Sequence, residues 1–92
     1  MFNFPSQRGY TIYTKKQCVY CDRAKELLQN ETITLYSCDD IEYRDDFLIH
    51  MDTITGKIHR TFPFIFHNGV FIGGYDDTVQ YYQSQLSFTS DF

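Results

Sequence analysis

Asn68 and Gly69 separate two short apolar runs, and this arrangement constrains the fold more than any other feature of the chain. Phe64–His67 precedes the pair and residues 70–72 follow it. Asn-Gly between two such runs is the strongest two-residue signal for a β-hairpin, because its tight turn needs residues that tolerate positive φ. The sequence therefore predicts two antiparallel strands in the C-terminal half.

The N-terminal half alternates between strand and helix patterns. Residues 10–14 are β-branched or aromatic, which is typical of a central strand buried on both faces. From Cys18 to about Asn30 the apolar spacing is helical, and residues 32–36 form the next strand-like run. A single helix between two strands predicts a right-handed crossover and a parallel strand pair.

A second helix is predicted from apolar positions that repeat at helical spacing between residues 47 and 54. Asp39, Asp40 or a neighbour can cap its start, and Gly56 is its predicted stop. The last helix follows residues 73–74 and continues through Leu86.

The resulting order, β-α-β-α-β-β-α, indicates an α/β fold in which helices flank a four-stranded mixed sheet. The chain has 92 residues, of which 42% are apolar, so it can build one core and no second. We expect a single domain over residues 1–92. Its folded core should span about 10–86, with loose ends at 1–8 and 87–92.

The charge distribution argues against nucleic-acid binding. The net charge is −4, which leaves no overall basic surface for phosphates. Residues 1–25 nevertheless carry five basic side chains against one acidic, so this segment has a local charge of +4 and the remainder sums to −8. The positive segment surrounds both cysteines of a C-x-x-C motif, where it can attract anions and tune thiols.

The cysteine count and the absence of targeting signals favour a reducing compartment. Three cysteines cannot form a complete disulfide framework, so C-x-x-C indicates redox chemistry or metal binding. No apolar run approaches the ~18 residues that a membrane span needs, and the N-terminus has no basic start. We expect a cytoplasmic protein that does not bind membranes.

Three separated segments resemble the glutaredoxin family in order and spacing: residues 13–21, 60–63 and 73–77. The resemblance implies a thioredoxin-like fold and the activity of a small dithiol glutaredoxin. Such a protein reduces protein disulfides and glutathione-mixed disulfides with glutathione as co-substrate. The motif here is Cys-Val-Tyr-Cys, with Val19 in place of the family's usual proline, as in some small phage and viral members.

The motif cysteines are expected to play unequal roles. Only a thiolate attacks a disulfide, and a helix N-terminus with Lys15 nearby should lower the pKa of Cys18 below the ~8.5 of a free thiol. Cys21, one turn into the helix, should be shielded and act as the resolving thiol. Cys38 is expected to be an inert buried residue.

The resemblance also implies a glutathione groove beside Cys18. Pro63 would be cis, the backbone of Phe62 would bond the cysteinyl part of glutathione, and Tyr20 would flank the groove. The amides of Tyr75 and Asp76 would hold the γ-glutamyl carboxylate. The full predicted glutathione-binding set is Lys15, Tyr20, Arg60, Thr61, Phe62, Pro63, Gly74, Tyr75, Asp76 and Asp77.

Within this set, three charged side chains have assigned partners. Asp77 would accept from the glutathione ammonium, and Lys15 and Arg60 are candidates for the glycyl carboxylate. Asp76 and Asp77 also have an ordinary interpretation as caps of the last helix, and solvated charges such as Lys15 and Arg60 need not bind anything.

Three alternatives remain open at the level of sequence. A thioredoxin-type electron donor is disfavoured because the chain lacks Trp. The motif can instead be half of a zinc site completed by Cys38 and one of His50, His59 or His67, although their spacing is poor. The fold can also serve as a binding module.

We expect the protein to be a monomer that binds no metal and no iron–sulfur cluster. The resemblance implies that its clients are disulfide-bearing proteins, ribonucleotide reductase among them.

Overall fold

The described part of the chain contains seven elements, in the order that the sequence predicts. The structure is a computed structural model that describes residues 3–39 and 44–90, with side chains through residue 85. The elements are β1 (Tyr10–Thr14), α1 (Val19–Leu27), β2 (Ile33–Ser37), α2 (Arg44–Thr55), β3 (Phe64–His67), β4 (Val70–Gly73) and α3 (Tyr75–Ser90). None of the helices in these ranges is long and apolar enough to cross a membrane.

The four strands form one mixed sheet in the order β2-β1-β3-β4. β1 runs parallel to β2 and antiparallel to β3, and all five of its residues are buried, as expected of a central strand. β3 and β4 are joined by Asn68 and Gly69, whose φ values are 52° and 84°. The hairpin and the parallel crossover are both confirmed.

The sheet register brings three chain segments to one edge. Tyr13, near the end of β1, pairs with Phe64 at the start of β3, because these strands are antiparallel. Ile65 in turn pairs with Gly73 at the end of β4. The turn that leads to Cys18, the segment before β3 and the junction between β4 and α3 therefore meet at the same end of the sheet.

Side chains that alternate along β1 divide the core between the two faces of the sheet. Tyr10 and Ile12 pack with residues of α1 and α3. Tyr13 points the other way, into an aromatic cluster with Phe47 of α2 and Phe64 of β3. The sheet is thus covered by two helices on one face and by α2 on the other.

Helix ends differ from the predicted ones by a few residues. α1 ends at Leu27, earlier than the predicted Asn30, because the chain turns there and the Glu31 N–H donates to the Leu28 carbonyl. α3 continues through Ser90, whereas a loose end was expected from residue 87; the segment contains no glycine or proline that would stop a helix.

The predicted ends of α2 can be checked at Asp39 and Gly56. Asp39 does not cap α2: its carboxylate accepts from the Lys16 N–H and from the Ser37 hydroxyl. Asp40, the alternative cap, lies outside the described residues. The predicted stop of α2 is confirmed, since Gly56 has a φ of 69° and its N–H donates to the Asp52 carbonyl at 2.9 Å.

Candidate active site at the start of helix α1

Cys18 is the N-cap of α1. Its backbone is extended, with φ −118° and ψ 101°, and its Sγ accepts the Cys21 N–H at 3.2 Å. Gln17, immediately before it, has a φ of 54°, so the turn after β1 ends in a left-handed residue that sets Cys18 at the helix start. The sulfur therefore lies against the amide groups of the first helical turn, where the helix dipole favours negative charge.

The two motif cysteines form a disulfide, with their Cα atoms 5.2 Å apart. Cys21 is fully buried, whereas Cys18 is partly exposed. The neighbouring Val19 and Tyr20 are 61% and 51% exposed. Of the two sulfurs, only that of Cys18 is open to a partner, which agrees with its predicted role as the attacking thiol.

The segment before β3 lies directly beside Cys18. The bond between Phe62 and Pro63 is cis, and the Phe62 carbonyl oxygen lies 3.8 Å from Cys18 Sγ. Pro63 is buried, and its carbonyl accepts from His59 Nε2 at 3.2 Å. These contacts hold the Phe62 backbone next to the redox pair, in the position that the resemblance implies.

A groove of about 350 Å³ opens beside this segment. The rings of Tyr20 and Tyr75, with centroids 5.8 Å apart, form part of its wall. Eight of the ten predicted glutathione-binding residues line it, joined by one residue that the prediction omitted. The lining residues are Tyr20, His59, Thr61, Phe62, Pro63, Gly74, Tyr75, Asp76 and Asp77.

The far end of the groove is the N-terminus of α3. The helix begins at Tyr75, so Asp76 and Asp77 occupy its first turn and do not cap it, contrary to the helix-cap interpretation. The first intrahelical bond runs from the Thr78 N–H to the Gly74 carbonyl at 3.1 Å. The amides of the preceding residues have no such partner within the helix and can receive an anion.

Arg60 and Lys15 do not line this groove. The Arg60 guanidinium makes a bidentate ion pair with Asp52 of α2, at 2.7 and 2.8 Å. This hydrogen bonding raises the pKa of Arg60 and lowers the pKa of Asp52 relative to their ordinary values. Lys15 instead lines a separate cavity, with its Nζ 5.7 Å from the centroid of the Phe62 ring.

His59 is the groove residue that sequence reasoning missed. Besides its bond to Pro63, its ring packs edge-on against Phe64 and Phe71, with centroid distances of 4.7 and 5.5 Å. A Cβ at Gly74 would lie 3.1 Å from His59 Cε1. The imidazole thus lies close to both Pro63 and Gly74, which line the groove. Its position just before the Arg-Thr-Phe-Pro segment was the only sequence signal for it.

Cys38 is partly buried and remains a free thiol. Burial raises its pKa to about 11, and the adjacent Asp39 carboxylate adds to the increase. The candidate zinc ligands are dispersed: His59 bonds Pro63, and His67 Nδ1 lies 2.6 Å from the Tyr81 hydroxyl. Over residues 3–39 and 44–90, no group of three His, Cys, Asp or Glu side chains could hold a metal ion.

Comparison with known proteins assigns the family. The profile of the Glutaredoxin family matches residues 10–72. Rat mitochondrial glutaredoxin-2 (Rattus norvegicus) is 38% identical over 75 residues, which cover 79% of this chain and 46% of the relative. The chain thus spans about half the length of this relative and of its bovine (Bos taurus) counterpart.

Solved structures agree with this assignment. Glutaredoxin 1 from Francisella tularensis, complexed with cacodylate, has a TM-score of 0.76 at 27% identity, covering 85% of this chain and 95% of its own. A buckwheat glutaredoxin–glutathione complex has a TM-score of 0.63 at 24% identity, covering 83% and 69%. With the family match, the shared fold and a Cys18–Cys21 pair at disulfide distance, the chain belongs to the glutaredoxin family of thiol oxidoreductases.

Proposed function

We propose that this protein is a glutathione-dependent thiol–disulfide oxidoreductase that reduces glutathione-mixed disulfides and protein disulfides. The observation that carries the proposal is the placement of Cys18. It is the exposed member of the redox pair, it caps a helix, and it adjoins a groove with the size and polarity for a tripeptide. A disulfide can reach its sulfur, whereas the Cys21 sulfur is covered.

Helix α1 prepares Cys18 for attack. In the reduced protein the Cys18 sulfur would keep the amide donor that it has in the disulfide, and this donor stabilises the thiolate over the thiol. The Phe62 carbonyl oxygen lies 3.8 Å from the same sulfur, so the groove that Phe62 lines begins next to the attacking atom.

Glutathione would bind along the groove with its cysteinyl sulfur at Cys18. Its cysteinyl backbone would exchange hydrogen bonds with Phe62, as an added strand does. The γ-glutamyl carboxylate would meet the free amides at the start of α3, and Asp77 would accept from the ammonium. A glutathione complex of a buckwheat protein with the same fold supports this choice of co-substrate.

For a glutathione-mixed disulfide, one cysteine suffices. The Cys18 thiolate attacks the glutathione sulfur, a Cys18–glutathione disulfide forms, and the client leaves as a thiolate that takes up a proton. A second glutathione thiolate then attacks the glutathione sulfur of that disulfide. Oxidised glutathione departs and the Cys18 thiolate is restored.

For a protein disulfide, both cysteines act. Cys18 attacks one client sulfur, and Cys21 then attacks Cys18, so the client leaves as a dithiol and the Cys18–Cys21 disulfide forms. Two glutathione molecules supply the two electrons that reduce this disulfide and leave as oxidised glutathione. Ribonucleotide reductase as a client and a cytoplasmic location stay predictions.

The test is turnover of the mixed disulfide between glutathione and 2-mercaptoethanol, followed as NADPH consumption through glutathione reductase. We expect a rate that is proportional to protein and dependent on glutathione. Turnover that requires thioredoxin reductase and ignores glutathione would refute the proposal in favour of a thioredoxin-type donor. A tightly held zinc ion per purified chain, without turnover, would favour the zinc-binding module.

A further inference from the structure

The segment between α2 and β3 carries the part of the groove that lies beside Cys18, but it has no regular structure. It comprises residues 58–63, and no turn, loop or capping bond between backbone atoms joins these residues to the rest of the described chain. Phe62, near its end, has its carbonyl oxygen 3.8 Å from Cys18 Sγ. Side chains must therefore hold this segment in place.

His59 is the residue through which the segment packs on the sheet. Ile58 is 80% exposed and Arg60 is also exposed, whereas His59 between them is partly buried. The His59 ring packs edge-on against Phe64 of β3 and Phe71 of β4. These contacts anchor the segment to the sheet, while Arg60 ties it to α2 only through an exposed ion pair, a kind of contact that contributes little.

The hydrogen bond of His59 restrains the backbone that forms this side of the groove. A carbonyl oxygen can only accept, so His59 Nε2 carries a proton and donates a hydrogen bond to the Pro63 carbonyl at 3.2 Å. The proline ring already restricts the φ of Pro63, and the hydrogen bond restrains its carbonyl and hence its ψ. The direction in which the chain runs from β3 back to Phe62 therefore depends on His59.

The same imidazole reaches the other wall of the groove at Gly74. A Cβ on Gly74 would lie 3.1 Å from His59 Cε1, which is closer than ordinary van der Waals contact. Gly74 immediately precedes α3, whose first amides can receive an anion. The ring thus fills the space between the segment before β3 and the start of α3.

We propose that His59 is a positioning residue for glutathione, because it sets the spacing between the two segments that would bind it. One is Phe62, whose backbone would bond the cysteinyl part, and the other is the start of α3, which would bond the γ-glutamyl carboxylate. The Cys18 sulfur has its amide donor from α1 and not from His59. Loss of His59 should therefore weaken glutathione binding and leave the reactivity of Cys18 unchanged. The proposal rests on the glutathione-dependent function proposed above.

The first experiment compares His59→Gln with His59→Met in the glutathione–mercaptoethanol assay. The two side chains have similar length, but only the Gln amide can donate to the Pro63 carbonyl. His59→Met should raise the KM for glutathione about fivefold, and His59→Gln should raise it less than about twofold, as expected for one hydrogen bond lost or kept. The kcat should stay close to the wild-type value in both variants, since neither change touches the reacting sulfur.

His67→Met is the matched control. His67 also makes one side-chain hydrogen bond, with its Nδ1 2.6 Å from the Tyr81 hydroxyl, and its ring stacks on Tyr10 at 4.1 Å. It lies at the end of β3 away from Cys18 and outside the groove. His67→Met should lower stability without changing the KM for glutathione. Iodoacetamide should label Cys18 at the wild-type rate in all of these variants, which shows that the start of α1 is intact.

The second experiment tests the spacing through Gly74→Ala, made in the wild-type protein and in His59→Ala. The added methyl group should raise the KM for glutathione more when the imidazole is present, because the two groups then compete for the same space. Equal KM values for the Gln and Met variants, or an equal effect of Gly74→Ala in both backgrounds, would overturn the positioning role. Wild-type turnover that does not depend on glutathione would instead refute the proposed function.

Discussion

Three cysteines lie in three different surroundings within one small chain. Cys18 is partly exposed at a helix start, Cys21 is buried one turn later, and Cys38 is partly buried beside a carboxylate. Burial raises the pKa of Cys38 to about 11, with a further increase from Asp39. The side chain that reacts is thus selected by its surroundings, since the thiol group itself is the same in each case.

Alkylation of the reduced protein tests this difference. Near pH 7 iodoacetamide should label Cys18 first, because the thiolate is the reactive form and Cys38 is almost entirely protonated. Labelling of Cys38 should increase as pH rises towards about 11. Peptide mapping after timed quenching measures both rates, and equal labelling of Cys18 and Cys38 at pH 7 would contradict the assignment.

Asp77 is the acidic residue that we expect to contribute most to glutathione binding. Asp77→Asn should raise the KM for glutathione several-fold, about 1 kcal/mol for a lost charge-assisted hydrogen bond, with little effect on folding because the side chain is exposed. Asp46→Asn makes the same change at the third residue of α2 and lies outside the groove. A shift of equal size in both variants would remove Asp77 from the site.

At the scale of elements, the junction between β4 and α3 determines the shape of the groove. Gly73 has a φ of 140°, and a Cβ placed on it would lie 2.9 Å from Asp77 Cβ. Only glycine allows the strand to end and the helix to begin so close together. The next two residues, Gly74 and Tyr75, already line the groove.

Gly73→Ala should therefore lower stability and weaken glutathione binding together, because the first turn of α3 must move. We expect a loss of about 2–3 kcal/mol in the free energy of unfolding, measured with urea. Gly56→Ala is the control: its φ is also positive, at 69°, but its Cβ would meet nothing within 4 Å. It should cost about 1 kcal/mol from backbone strain alone and leave the KM for glutathione unchanged. Equal stability losses in the two variants would contradict the crowding at Gly73.

Local patterns were sufficient to predict the elements. The Asn68-Gly69 pair and the buried run of β1 specify their structures through short-range chemistry, so the hairpin and the central strand were found from sequence. Helix caps were harder to predict from the sequence than strands and turns. Asp39 resembles a cap, but its carboxylate bonds the Lys16 backbone, which lies 23 residues away in the chain.

The sequence predicted the parts of the site that depend on backbone geometry and missed those that depend on long-range side-chain contacts. The Phe62–Pro63 segment and the start of α3 lie where the resemblance implies, since these depend on backbone geometry. Arg60 is held by Asp52, and His59 enters the groove by packing on rings of β3 and β4. Such long-range side-chain contacts leave no periodic or motif signal in a single sequence.

At the scale of the whole molecule, the sheet topology and the charge distribution both favour one end of the sheet as the binding site. The strand register brings the turn before Cys18, the segment before β3 and the start of α3 together at this end. The N-terminal 25 residues, which include that turn, carry a charge of +4 within a chain of net charge −4. Glutathione, the co-substrate that we propose, is anionic, and this local positive charge would attract it towards the end that holds the redox pair.

The most direct test of glutathione-dependent chemistry through Cys18 compares two variants on one substrate, the mixed disulfide of glutathione and 2-mercaptoethanol. Cys18→Ser should abolish turnover, because a serine hydroxyl is not ionised at neutral pH and the Cys21 sulfur is covered. Cys21→Ser should retain turnover, since glutathione itself resolves the intermediate, while reduction of protein disulfides is lost. Equal loss in both variants on the small substrate, or activity that survives only in Cys18→Ser, would contradict the mechanism.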